Sequence, residues 1–194
     1  MTDILMQGPQ FAKDYVNNFL QNDMPTRLTR YRNGWNVDDY TLPDPELYLT
    51  YEPIALDHWP TIITVAISTN SFERQGYIDN TNPIYRVTYA MRTYIWVKTE
   101  GSEEVTTMRD RLTTVARSAI LDYPSLKSRD STGFVNAKID ESTIREEYSD
   151  LTLIKGDRVL AGAYLGYDLT LNEMVYRQPM SELGSVDLTL SNLR

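Results

Sequence analysis

Hydrophobic positions recur with two periods along this chain, and the change from one to the other outlines the fold. From Ile84 to Lys98 the period is two: Tyr85, Val87, Tyr89, Met91, Ile95 and Val97 share one side, and Arg86, Thr88, Arg92, Tyr94, Trp96 and Lys98 share the other. Alternation of this kind predicts a strand with one buried and one amphipathic face, as in an antiparallel sheet covered on one side. After Glu100-Gly101-Ser102 the period becomes helical, with Val105, Met108, Leu112, Val115, Ala116, Ala119 and Ile120 on one stripe. Ser102 is placed to cap the helix, and Glu103 and Glu104 sit in the first turn, where the helix dipole favours acids. The large side chains of that stripe contribute on the order of 8–15 kcal/mol of burial before chain entropy is subtracted. A helix over about 102–121 measures near 30 Å, long enough to cross several strands spaced about 4.8 Å apart.

Weaker periodicities fill in the rest. Phe11, Tyr15, Phe19 and Leu20 make a helical stripe over about 8–22, which Pro25 is expected to end. Residues 24–60, with prolines at 43, 45, 53 and 60, read as a turn-rich segment or arm with a short strand at 47–51. Thr61–Thr69 alternates as a strand, with Ile63, Val65 and Ile67 on one face, and Asn70–Pro83 reads as a long hairpin loop. Further strands are expected at 134–139 and 143–154, the second interrupted by Ser149-Asp150. A long final one follows, in which Val159, Ala161, Ala163, Leu165, Tyr167, Leu169 and Leu171 share a face and Gly162 and Gly166 lie on the other. From about residue 179 the chain reads as an extended tail with a short strand at 186–190. The sum is a single α+β domain over 1–194: a mainly antiparallel sheet with the long helix and the N-terminal helix packed on one face.

Composition narrows the chemistry. The net charge of −8 argues against general nucleic-acid binding, which needs a basic footprint. With no cysteine there are no disulfides and no thiolate metal sites. One histidine, His58, excludes paired-histidine metal motifs, and its setting beside a turn, with no Gly-x-Ser-x-Gly elbow in the chain, speaks against a serine triad. No phosphate-binding glycine loop precedes a helix. The carboxylates at Asp38, Asp39, Asp44 and Glu46, and at Glu146, Glu147 and Asp150, read as solvated loops rather than as a cation site. No apolar run approaches the roughly 18 residues of a membrane span, and the N-terminal residues do not read as a signal peptide, so synthesis in a cytoplasm is expected. The expectation is therefore no catalytic residue, no metal, no cofactor and no enzyme.

Fourteen tyrosines against four phenylalanines and three tryptophans fit half-wet contact surfaces. Two clusters stand out as candidate assembly interfaces: Arg86, Arg92, Tyr94 and Trp96 on the amphipathic strand face, and Arg27, Arg30, Tyr31 and Arg32 in the segment after the first helix.

With strand 85–96, helix 103–122 and the late strand through Gly162-Ala163-Tyr164 in place, the chain resembles the tail terminator (tail completion) proteins of long-tailed bacteriophages over roughly residues 61–175. The resemblance is one of element order. It implies a structural virion protein at the head-proximal end of the tail, made in the host cytoplasm. Six copies would form a ring that caps the tail tube, stops its polymerisation and meets the head connector or head-closure protein, with DNA only passing through the channel. Another head–tail joining or tube protein is the alternative, and a small-ligand-binding protein or enzyme a more distant one.

Overall fold

The computed structural model describes residues 8–77, 82–122, 125–126, 137–149, 152–154 and 158–174. Its elements are α1 (Gly8–Trp35), β1 (Leu47–Leu49), β2 (Thr61–Tyr77), β3 (Pro83–Thr99), α2 (Ser102–Asp122), β4 (Ser125–Leu126), β5 (Ala137–Tyr148), β6 (Thr152–Ile154) and β7 (Arg158–Met174). The sheet runs in the order β1-β2-β3-β7-β5-β4, with β6 also pairing with β7. Every pairing is antiparallel except β1 with β2. Both helices pack on one face of this sheet, which makes the fold α+β. The expected strand at 134–139 is described only from Ala137, and the tail strand at 186–190 lies outside the described residues.

The core lies between the helices and the odd-numbered face of β3 and β7. Val87, Tyr89, Met91, Ile95 and Val97 meet Val159, Ala161, Leu165, Tyr167, Leu169 and Leu171 from β7 and Leu112, Val115, Ala116 and Ile120 from α2. Ala161 lets the helix layer come close to the middle of the sheet. A polar thread crosses this core: the hydroxyls of Thr64 and Thr93 lie 3.3 Å apart, and that of Thr93 lies 2.8 Å from the Tyr167 hydroxyl.

Helix α1 is longer than the pattern at 8–22 implies. Its buried stripe is Ala12, Val16, Leu20, Met24 and Leu28, an unbroken i, i+4 series that carries the helix through Pro25 to Trp35. A proline inside a helix removes one hydrogen bond and crowds the preceding turn. Here Met24 and Leu28, both fully buried, offset that cost by packing against α2 and the sheet. Phe11, Tyr15 and Phe19 flank the stripe as partly buried neighbours.

The reading of 70–83 as a hairpin loop is also corrected. β2 continues to Tyr77, paired with β3 through Phe72↔Val87, Glu73↔Arg86 and Arg74↔Tyr85. Register shifts at Ala66/Ser68, Thr69/Ser71 and Arg74/Gly76 break the two-residue alternation, so the segment looks irregular in sequence while it stays in the ladder. Its outer half is exposed, and Phe72 stacks on Tyr85 with ring centroids 4.6 Å apart. The break expected at Ser149-Asp150 falls between β5, which ends at Tyr148, and β6, which begins at Thr152, whereas the strands expected separately at 134–139 and from 143 belong to one strand, β5.

Burial of tyrosine hydroxyls gives the stability a pH dependence. Burial holds Tyr48 and Tyr167 above the ordinary range, and for Tyr89 burial acts together with its hydrogen bond to Glu173 (2.7 Å). Tyr148 is pushed up to about 12 by burial and by its bond to Glu146. Each raised group keeps its proton in the folded state at a pH where the unfolded chain, titrating near pH 10, has lost it. The contribution is intact below about pH 10 and disappears as the pH climbs toward the folded-state values. For the fully buried Tyr167 the loss reaches about 1.4 kcal/mol by pH 11. The midpoint of urea unfolding is expected to hold steady from about pH 7 to 9 and to fall between about pH 10 and 11.

Candidate functional site: the open face of the sheet

One face of the sheet lies under the helices. The other presents the even-numbered residues of β3 and β7, and the ladder fixes which of them stand side by side. Trp96 pairs with Gly162, Tyr94 with Tyr164, Arg92 with Gly166, Ala90 with Asp168, Thr88 with Thr170 and Arg86 with Asn172. Four of the residues singled out from sequence, Arg86, Arg92, Tyr94 and Trp96, therefore line one strand of this open face. Arg86 is exposed at its distal end and the other three are half-buried.

Two glycines shape this surface. A Cβ at Gly162 would come within 2.5 Å of the Trp96 ring, so the absence of a side chain there is what lets the indole lie against β7. A Cβ at Gly166 would meet Arg145 Nε at 3.0 Å and its Cγ at 3.2 Å, so the Arg145 side chain leans over that glycine. From the other side, the Arg92 guanidinium lies 4.6 Å over the Tyr164 ring, whose centroid is 5.5 Å from that of Tyr94. Hydrogen bonding to Glu147 holds the Tyr164 hydroxyl above its ordinary value.

Arg145 is absent from the residues picked out by sequence, and the cause is a bulge. In β5, Asp140 pairs with Asp168, and the next pair is Arg145 with Gly166. The residues between loop out, held by the Ser142 amide and hydroxyl donating to Asp140 Oδ1 (3.0 and 2.6 Å). The Thr143 hydroxyl stays in the gap and accepts from the Asp168 amide at 2.8 Å. This reverses the parity of the strand. Arg145 turns to the open face, while Glu146 turns to the helices and pairs with Arg117 of α2 at 2.8 Å. Nothing in the alternation of 137–148 alone marks that reversal.

The second cluster is placed otherwise. Arg27 donates to Asp23 (2.6 Å) and Asp122 (2.9 Å), tying α1 to the end of α2. Arg32 donates to the Leu42 carbonyl (2.8 Å) and pairs with Asp44 (3.1 Å), fixing the loop that follows α1. Tyr31 packs against the core and edge-on to Trp35, at 4.7 Å between centroids, and Arg30 is exposed. These residues belong to the helix layer and do not join Arg86, Arg92, Tyr94 and Trp96 in one site.

The acidic loops are internally engaged. Asp38 accepts from the Thr41 amide and hydroxyl, bonds that hold its carboxyl below the usual range. Glu46 Oε2 lies 3.3 Å from Nδ1 of the exposed His58. Among the described residues, no group of three or more histidines, aspartates and glutamates is arranged to hold a metal ion. No described helix is long and apolar enough to cross a membrane. No protein-family model matches the chain, and neither does any curated protein.

Proposed function

We propose that this chain is a structural virion protein similar to phage tail terminators, acting by assembly and not by catalysis. The observation that carries the reading is the open face: Tyr94, Trp96 and Tyr164 with Arg92 and Arg145, spread over three adjacent strands with no helix packed on them among the described residues. Aromatic residues and arginine are the side chains that dominate protein contact surfaces. A protein with one helix-covered face and one such face is suited to burying the latter against a neighbour.

The sheet also has unlike edges, β1 and the outer half of β2 on one side and β5 with β4 on the other. Contacts between unlike surfaces are head-to-tail, and they close into a ring when the rotation per subunit divides a full turn. In this reading six copies close the ring on the last layer of the tail tube protein. The far side of the ring meets the head connector or head-closure protein, and DNA passes through the channel. The acidic balance of the chain suits a channel wall that does not retain DNA.

Electron microscopy of the purified chain at high concentration separates this from the alternative of a tube protein. Discrete rings of one size are expected. Long tubes growing with concentration would assign the chain to the tube instead, and particles of single-chain size with no assembly at any concentration would count against both.

A further inference from the structure

The open face contains a cleft of about 410 Å³ at the level of Gly166, lined by Ser68, Asn70, Arg92, Thr143, Arg145 and Asp168 among others. We infer that this cleft is a binding site for an oxyanion, a phosphate or a carboxylate held between Arg92 and Arg145 above Gly166.

Three features converge on this. The first is position. Arg92 and Arg145 both register with Gly166, from the strands on either side of β7, and both side chains lean inward over β7: Arg145 across the glycine and Arg92 over Tyr164. Their Cα atoms stand about two strand spacings apart, roughly 10 Å, close enough for two arginine side chains to reach one small anion between them. The Arg92 guanidinium rests over Tyr164 and donates from Nη1 to the Tyr94 hydroxyl at 3.4 Å, which leaves other N–H donors of its fork for a ligand. Arginine presents a planar fork of donors that matches the oxygens of carboxylate and phosphate.

The second is charge. The chain carries a net −8, yet the cleft is lined by two cations and one carboxylate. That carboxylate, Asp168, already accepts from Asn70 Nδ2 at 3.0 Å. Among the described residues neither Arg92 nor Arg145 is within ion-pair distance of a carboxylate, whereas Arg27, Arg32, Arg109 and Arg117 all are. Asp140 and Glu147, in the rows to either side, are engaged by Ser142 and Tyr164 respectively.

The third is construction. The β5 bulge brings Arg145 to this face, and Gly166 leaves it room, so the cation pair depends on two departures from regular sheet. Bulges are over-represented where a strand must re-aim a functional side chain.

The oxyanion can be free phosphate or an acidic side chain of a neighbouring copy, and two measurements on the full chain separate these. In the first, inorganic phosphate is titrated at constant ionic strength while the arginine Nε–H signals are followed by NMR. Saturable shifts at Arg92 and Arg145 are expected, with the Arg111 signal unmoved. R145A should weaken binding on the order of tenfold, the effect of a lost charge-assisted hydrogen bond. G166A, which displaces the Arg145 side chain without removing a charge, should also weaken it. In the second, the assembled mass of R145A and R145K is compared with that of R111A. If phosphate binds only weakly but R145A alone lowers the assembled mass, and R145K restores part of it, the occupant is the neighbour's acidic group. The absence of both results, with no phosphate-dependent shift in the unmodified chain and no Arg145-specific loss of assembly, would overturn the proposal. The phosphate arm does not depend on ring formation, so it stands or falls apart from the assembly reading.

Discussion

Replacing Leu112 with aspartate should abolish folding. Leu112 is fully buried at the middle of α2, where the helix crosses β3 and β7. Its loss removes a core side chain, worth about 2–5 kcal/mol even when the replacement is alanine. The aspartate then buries a charge with no cation described beside it, at a further cost of several kcal/mol. Together these come to roughly 5–10 kcal/mol, comparable with the total stability of an ordinary domain, about 5–15 kcal/mol. Circular dichroism and urea titration of Leu112→Asp are expected to show no cooperative transition, while Leu112→Ala keeps one at a lower midpoint. A cooperative transition close to that of the parent chain would mean that α2 is not the organising element.

The second large effect is expected at the contact between Gly162 and Trp96. A methyl at position 162 lands within 2.5 Å of the indole, so Gly162→Ala must displace the ring or bend β7. Forcing volume into a packed contact costs about 1–3 kcal/mol. Because the obstacle is a single side chain on the open face, removing it should remove the penalty. Trp96→Ala is expected to fold, since Trp96 stands opposite the helix-covered face, and to assemble poorly. Gly162→Ala in the Trp96→Ala background should cost only a few tenths of a kcal/mol. Chemical denaturation of the two single variants and the double variant measures this coupling directly. A full Gly162→Ala penalty without the tryptophan would place the strain in the backbone. Failure of Trp96→Ala to fold would make that residue part of the core.

The frame of the fold was legible from period alone. β3 alternates without interruption, α2 carries an unbroken stripe with its cap residue and first-turn acids, and β7 keeps seven inward residues in phase from Val159 to Leu171. Such patterns survive translation into structure because each side chain has a single face to choose. The errors fall where something other than period decided the outcome. Pro25 reads locally as a helix stop, but Met24 and Leu28 on either side of it are core residues, and their burial carries the helix on. The outer half of β2 was hidden by three register shifts, which scramble alternation without ending the pairing. Alternation in 61–69 groups Ile63 with Val65 but cannot say which face meets the helices. In the structure Ile62, opposite Ile95, does so, while Ile63 and Val65 lie beside Tyr94 and Arg92 on the other face and are buried there.

The candidate site was half legible for the same reason. Arg86, Arg92, Tyr94 and Trp96 lie on a regular strand, so their shared face follows from counting by twos. Arg145 lies beyond a bulge, and its partner glycine matters only because of what leans over it; neither fact is written in one dimension. Arg27 and Arg32 stand out in the sequence by charge alone, but their roles depend on Asp122 and Asp44, which chain folding brings to them.

Under the proposed function, the open face assembles this chain into a closed ring. Light scattering on the purified chain across a concentration series tests it most directly. Six copies of a 22.4 kDa chain make a particle of about 134 kDa. A species at that mass is expected, one that does not grow further as concentration rises and that gives way to single chains in Trp96→Ala. A mass that stays at 22.4 kDa over the whole series, or one that climbs without limit, would contradict it.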